Sequence, residues 1–272
     1  MSEILKNLNE EQIKPVVDTE GAVLVIAGAG SGKTRVLTSR IAYLVTEKGV
    51  SPRNIMAITF TNKAANEMKE RLSAMVEGVD DMWVSTIHSM CTRILRQNIA
   101  YLGYDKNFTI YSETDKERVL KRIFQKYETD DEKFLKNAKW HISNAKMQGL
   151  SPKRYFEQNV EGKDIEKYTS FYAEYEDELK ASNALDFDDL LLKTRDILAN
   201  FENVRDYYSD KFQYVHIDEF QDTNAIQYEI VSHLVRNHGN LFAVGDDDQS
   251  IYGWRGAEIK NILNFEKDFS KI

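Results

Sequence analysis

Ala27-Gly28-Ala29-Gly30-Ser31-Gly32-Lys33-Thr34 has the residue types and spacing to hold a polyphosphate. Glycines let the backbone curl so that several N–H groups aim at one anion, and a following helix adds its dipole and unpaired donors. From such a loop Lys33 reaches the β- and γ-phosphates, and the Thr34 hydroxyl can take Mg²⁺. The simplest form of the motif has Gly where this chain has Ala27. That position tolerates a small residue, and Gly28 and Gly30 keep the loop flexible.

Two carboxylates can complete the chemistry. Val215-His216-Ile217 is an apolar run that ends in Asp218 and Glu219. In open α/β sheets ligands bind beyond the carboxyl ends of the strands. Asp218 there can hold Mg²⁺ together with Thr34, through the ion's water shell. Glu219 is placed to orient or deprotonate an attacking water. Alone, a strand ending in Asp-Glu is as readily a plain strand end; the loop upstream favours the chemical reading. A further apolar run, 241–244, leads into Gly245-Asp246-Asp247-Asp248-Gln249. The Gln249 amide can hydrogen-bond a γ-phosphate or the water. Three acids beside a phosphate are costly unless they point away or meet the metal, so no role is expected of Asp246, Asp247 or Asp248.

Aromatic residues stand next to the same elements: Phe60 after a second apolar run, and Tyr252 and Trp254 after the Gln249 segment. With Lys63, His88 and Arg255 close by, they could stack on unpaired bases while the cations hold phosphate. Any one aromatic is more often a core residue, and only their shared position gives the idea weight.

These side chains need a scaffold that brings strand ends together. Apolar runs at 22–26, 55–60 and 83–86 alternate with helical periodicity to about 46, over 64–75 and over 87–101, the rhythm of a parallel sheet covered by helices. Asn9 followed by Gln12 reads as a capping box opening a helix. From about 112 to 182 the rhythm changes to charged helices, expected at 113–127, 131–147 and 164–181, with only 108–111 extended. The segment 106–184 therefore reads as an inserted helical subdomain. Residues 1–105 and 185–272 form the α/β domain, which restarts with a helix at 185–191 and strands at 214–217 and 241–244.

The chain has 272 residues and a net charge of −8, unevenly spread. Residues 1–105 are neutral overall, 106–155 carry 12 basic against 7 acidic side chains (net +5), and 156–272 are net −13. An acidic chain can still show a basic face, although charge alone fits a solvated lysine-rich surface equally well. A single cysteine, Cys91, rules out an internal disulfide framework and a cysteine-based zinc site, and suits a reducing, cytoplasmic setting. No signal-like N-terminus and no run long enough to span a membrane is evident.

The chain resembles the UvrD/PcrA/Rep family of superfamily 1 DNA helicases. The matching segments are Leu-Asn-Glu-Glu-Gln (8–12), the phosphate loop (27–34), Thr-Phe-Thr-Asn-Lys-Ala-Ala (59–65) and Thr-Ile-His-Ser-Met (86–90). Leu-Asp-Phe-Asp-Asp-Leu-Leu (185–191), Asp-Glu-Phe-Gln-Asp-Thr-Asn (218–224) and Gly-Asp-Asp-Asp-Gln-Ser-Ile-Tyr-Gly-Trp-Arg-Gly-Ala (245–257) follow in order. The resemblance implies a RecA-like P-loop NTPase sheet with an inserted helical subdomain lying against DNA. It implies ATP and Mg²⁺ as ligands, and Gln12 reading the adenine edge, with Arg35 near the base or ribose. Lys33, Glu219 and Gln249 would serve hydrolysis, and Thr34 and Asp218 the metal. Phe60, Asn62, His88, Tyr252 and Trp254 would line a track for single-stranded DNA. Arg255 would link that track to the nucleotide, and Gln221 would sit between the two sites. Pro15 stands where the family more often has Ala. The family continues into a second RecA-like domain that supplies an arginine finger and half the track. This chain is therefore expected to be the ATP-binding part of a 3′–5′ helicase or translocase in repair or replication, binding nucleotide with little DNA-stimulated hydrolysis by itself. Alternatives are the helicase part of a RecB/AddA-type nuclease complex, a nucleotide-binding interaction module without turnover, and a P-loop phosphotransferase.

Overall fold

The structure is a computed structural model that describes residues 3–127, 132–160, 164–246, 265 and 267–269. It opens with α1 (Glu10–Val17), β1 (Val23–Ile26), α2 (Lys33–Thr46), β2 (Ile55–Thr59), α3 (Asn62–Ser73), β3 (Trp83–Thr86) and α4 (Ile87–Asn98). There follow β4 (Thr109–Ile110), α5 (Glu113–Phe124), α6 (Glu132–Met147), α7 (Pro152–Asn159), α8 (Asp164–Ala181), β5 (Ala184–Leu185) and α9 (Phe187–Asn200). The last described elements are α10 (Glu202–Lys211), β6 (Tyr214–Ile217), α11 (Ala225–Leu234) and β7 (Leu241–Gly245). The chain forms two compact units, one of residues 1–90 with 201–272 and one of residues 91–200.

The first unit is built on a parallel sheet of order β1-β7-β6-β2-β3. Every residue of β2 and β7 is buried, the continuous apolar pattern of strands covered on both faces. Leu37, Ile41 and Leu44 of α2 and Met68 and Leu72 of α3 pack on Ile55, Ala57, Phe242 and Val244. Burying each such side chain contributes roughly 1.5–3 kcal/mol. The register aligns Ile26 with Gly245, Ala243 with Ile217, Ile217 with Ile58, and Thr59 with Thr86. Because the strands are parallel and so registered, the chain leaves them along a single edge. The parallel sheet flanked by helices, as a RecA-like domain has, agrees with the expectation.

The second unit has its own core, in which Ile123, Phe134, Ile142, Phe156, Phe171 and Tyr175 are buried together. It reaches further at both ends than the 106–184 insertion read from the sequence, because α9 packs on α6 and on the single turn after α4, and β4 pairs with β5. A charged cluster lies inside it. Lys146, wholly buried, contacts Glu176 at 2.7 Å, Asp189 at 2.9 Å and Asp186 at 3.0 Å. Burial opposes the charge on Lys146, but the three carboxylates outweigh it and hold its pKa well above the usual lysine value. Burial likewise opposes the charge on Asp186, yet Lys146 and Lys116 hold its carboxyl below the ordinary carboxylate range.

Local signals account for the helix boundaries. Asn9 and Gln12 make the reciprocal capping box, with Gln12 N–H to Asn9 Oδ1 at 2.9 Å and Asn9 N–H to Gln12 Oε1 at 3.1 Å. Thr61 accepts from Ala64 N–H, which starts α3 at Asn62, two residues before the expected 64. Three helices, α7, α10 and α11, were not expected. Gly149-Leu150-Ser151-Pro152 reads in sequence as a turn, yet its second half starts α7, since Ser151 caps the helix and Pro152 takes its first position. Among the described helices, none is long and apolar enough to cross a membrane.

Candidate functional site

The glycine-rich loop leaves β1 and enters α2. Ala27 N–H donates to Gly245 O at 3.1 Å, which fastens the loop's first residue to the end of β7. Gly32 has φ +87°, and a Cβ there would stand 3.1 Å from Gln12 Nε2, so glycine serves both the turn and the close approach. Gly28, Ala29, Gly30 and Ser31 are exposed. Gly32 at the start of α2 has no side chain to cap it, and Val36 N–H already donates to Gly32 O, so the amides of Lys33, Thr34 and Arg35 are the donors that an anion would take.

Lys33 bends back over this loop. Its Nζ donates to Ala27 O at 2.7 Å and to Gly28 O at 3.2 Å, and pairs with Asp246 Oδ2 at 3.1 Å. The Asp246 side chain is 1% exposed and that of Lys33 10%. Asp246, for which no role was expected, is thus the lysine's counter-charge. The signal was available in outline, since an apolar run ends in an acid twice, at Asp218 and at Asp246. Which acid meets Lys33 depends on β7 lying beside β1, and the sequence does not state that.

Asp218 follows β6 and its N–H donates to Ile58 O at 2.9 Å. Its carboxylate accepts from Glu219 N–H at 3.1 Å. Burial and the neighbouring Glu219 push the Asp218 carboxyl up to about 6, against the opposing pull of the Glu219 amide, Lys33 and the nearby Thr34 side chain. Glu219 adopts a left-handed backbone, φ +53° and ψ +47°, a conformation costing an L-residue about 1–2 kcal/mol. The turn redirects the chain so that Glu219 Oε2 accepts from Gln221 Nε2 at 2.7 Å. Gln221 is buried, and its Oε1 accepts Asp246 N–H at 3.0 Å. One side-chain amide therefore spans the Glu219 carboxylate and the end of β7.

Gln12 approaches the loop from α1, its Nε2 donating to Ser31 O at 3.0 Å. Arg35 is exposed in the first turn of α2, beside an open groove that also takes in Leu8, Thr38 and Arg71. Phe60, 37% exposed, and Asn62 follow β2, and His88 sits in the first turn of α4 after β3. A crevice at the ends of β2 and β6 is lined by Phe60, Ile87, Asp218, Glu219 and Thr223, so the aromatic and the carboxylates open onto one space. Gln249, Tyr252, Trp254 and Arg255 lie outside the described residues, as do Asp247 and Asp248. In the second unit Phe187, within the acidic 185–191 segment, is an aromatic that the sequence reading passed over and the structure leaves 51% exposed.

The arrangement can bind a polyphosphate at the loop and α2 amides, place two hard oxygen donors beside it, and present a carboxylate to a water. Comparison with known proteins gives the family. Residues 8–270 match the family described as UvrD/REP helicase N-terminal domain. Over 273 residues the chain is 48% identical to the "ATP-dependent DNA helicase PcrA" of Staphylococcus aureus strain Mu50, covering 99% of this chain and 37% of that protein. The protein of the same name from Staphylococcus epidermidis strain ATCC 12228 is 47% identical with the same coverage. The chain thus spans 37% of the length of these curated relatives.

Proposed function

Because the chain belongs to the UvrD/REP helicase N-terminal domain family, we propose that it is the nucleotide-binding part of an ATP-dependent DNA helicase that moves 3′–5′ on single-stranded DNA in the cytoplasm. A second RecA-like domain would complete the cleft, and the work would lie in DNA repair or replication. The observation that carries the reading is the convergence of Lys33, Thr34, Asp218 and Glu219 along one edge of the sheet, on the crevice side that also holds Phe60.

In this reading the β- and γ-phosphates of ATP take the α2 amides and Lys33 in place of its present carboxylate and carbonyl partners. Gln12 turns its amide to the adenine edge and Arg35 flanks the base or ribose. The Thr34 hydroxyl and the Asp218 carboxylate, which stand near one another, would hold Mg²⁺, a cation that takes oxygen donors. When bound, Mg²⁺ neutralises charge on the phosphates. Glu219 orients the attacking water and accepts its proton, and Gln221 fixes the direction in which that carboxylate faces. Gln249 senses the γ-phosphate. Phe60, Asn62, His88, Tyr252 and Trp254 hold the bases of single-stranded DNA, and Arg255 links them to the nucleotide. Residues 106–184, within the second unit, form the subdomain that faces DNA.

The test is competition of single-stranded against duplex DNA for this chain, with and without Mg²⁺ and a non-hydrolysable ATP analogue. Single-stranded DNA should be preferred, its affinity should change severalfold with the analogue, and Lys33→Ala should abolish that change. DNA affinity indifferent to the analogue in the unaltered chain would overturn the proposal.

A further inference from the structure

Arg40 lies two turns beyond Lys33 on α2 and is 1% exposed. Its guanidinium pairs with no carboxylate among the described residues. It donates instead to three backbone carbonyls at the end of α1: Pro15 O at 2.6 Å, Asp18 O, and Thr19 O at 3.0 Å. Pro15 O belongs to the last turn of α1, whose carbonyls have no intrahelical partner and carry the helix's negative dipole end, and Asp18 and Thr19 follow that turn, so one cation ties the end of α1 to the chain leaving it. The guanidinium also lies 4.5 Å from the ring centre of Phe242 on β7. Burial lowers its pKa to about 10, against the attraction of Asp18 and Glu20, which leaves it charged at neutral pH.

The helix that Arg40 holds is α1, eight residues long with Pro15 inside it. A helix that short has little stability of its own and takes its position from what it packs on. Both of its ends are fixed to the phosphate-binding element. At the start Gln12 donates to Ser31 O of the loop, and at the finish Arg40 of α2 holds Pro15 O and the two carbonyls of Asp18 and Thr19 that follow the helix. We propose that Arg40 is a positioning residue for nucleobase recognition: by clamping the end of α1 to the phosphate-loop helix, it sets where Gln12 stands relative to the loop. The inference rests on the proposed role of Gln12.

The experiment compares binding of ATP with binding of inorganic tripolyphosphate to the chain. Tripolyphosphate needs the loop and Lys33 but has no base to read. The unaltered chain should prefer ATP. Arg40→Lys keeps a cation but lacks the planar fork that reaches three carbonyls. It should lower the preference roughly tenfold, the scale of a lost hydrogen bond to a polar base edge, while tripolyphosphate binding stays within about twofold. In a Gln12→Ala background, Arg40→Lys should change the preference no further. A loss shared equally by ATP and tripolyphosphate, or an undiminished preference in a folded Arg40→Lys chain, would overturn the inference. Should Arg40→Lys not fold, Phe242→Leu removes only the ring beneath the guanidinium. It should lower the preference in the same direction, and no change there counts against the clamp. Equal binding of both ligands by the unaltered chain would instead overturn the proposed reading of Gln12 before Arg40 is tested.

Discussion

Asp218 is an acid placed where ionisation is unfavourable. Its carboxyl is raised to about 6, first by burial and then by Glu219. An acid with a higher pKa folded than unfolded binds its proton more readily in the folded state. Its ionisation therefore lowers stability as pH climbs from the ordinary carboxylate range through about 6, with the full penalty present above that. At roughly 1.4 kcal/mol per unit, the penalty at pH 7.5 is on the order of 1–3 kcal/mol. Asp218→Asn should raise stability to urea by about that much at pH 7.5, and much less at pH 4.5, while losing any Mg²⁺-dependent nucleotide binding. Equal gains at both pH values would show that the destabilisation has another origin. This residue was legible in the sequence, since an apolar run ending in Asp-Glu places both acids at a strand's end. The pairing of Lys33 with Asp246 was not, because it depends on which strand neighbours β1. Nor was the burial of Arg40, which in a linear reading is one charged position in an amphipathic helix.

At the scale of elements, local chemistry was readable wherever a cap or an apolar period was strong. The capping box at Asn9 and Gln12 and the five strands of the larger sheet follow from such signals. The helix α7 was missed because Ser151-Pro152 serves equally to close a turn and to open a helix, and only packing decides. The buried charges of the second unit were hidden for a related reason. Lys116 and Lys146 sit in a lysine-rich stretch that reads as a solvated surface, yet both are buried against acids delivered by later elements. That cluster joins α5, α6, α8 and α9. Lys146→Met should leave Glu176, Asp186 and Asp189 facing one another without their shared cation, and removing one partner of a buried ion pair costs about 3–5 kcal/mol. Urea unfolding monitored within residues 91–200 measures it. A loss below about 1 kcal/mol would mean that the acids take up protons or find another cation.

At the scale of the whole molecule, the described residues place one hydrophobic core within the unit of residues 1–90 and 201–272 and another within residues 91–200. The groups that would bind nucleotide all belong to the unit of residues 1–90 and 201–272. A ligand that binds only the folded form of one unit stabilises that unit by mass action, about 2.7 kcal/mol at a hundred times its dissociation constant. Calorimetry should therefore show saturating Mg²⁺ and ATP analogue moving the transition of this unit, while the transition weakened by Lys146→Met stays where it was. A single transition shifted as a whole would show that the units unfold together. The order of the large sheet bears on how the protein is made. β1 and β2 emerge early from the ribosome, yet neither pairs with the other; β7 and β6 stand between them and are encoded beyond residue 213. The contiguous residues 91–200 can condense as soon as they are synthesised, whereas β1 and the β2–β3 pair must wait for the two strands that join them. Non-local pairing of that kind is slow and leaves strand edges open meanwhile. The growing chain is thus expected to carry open strand edges, of the kind chaperones cover, while residues 91–200 are already folded.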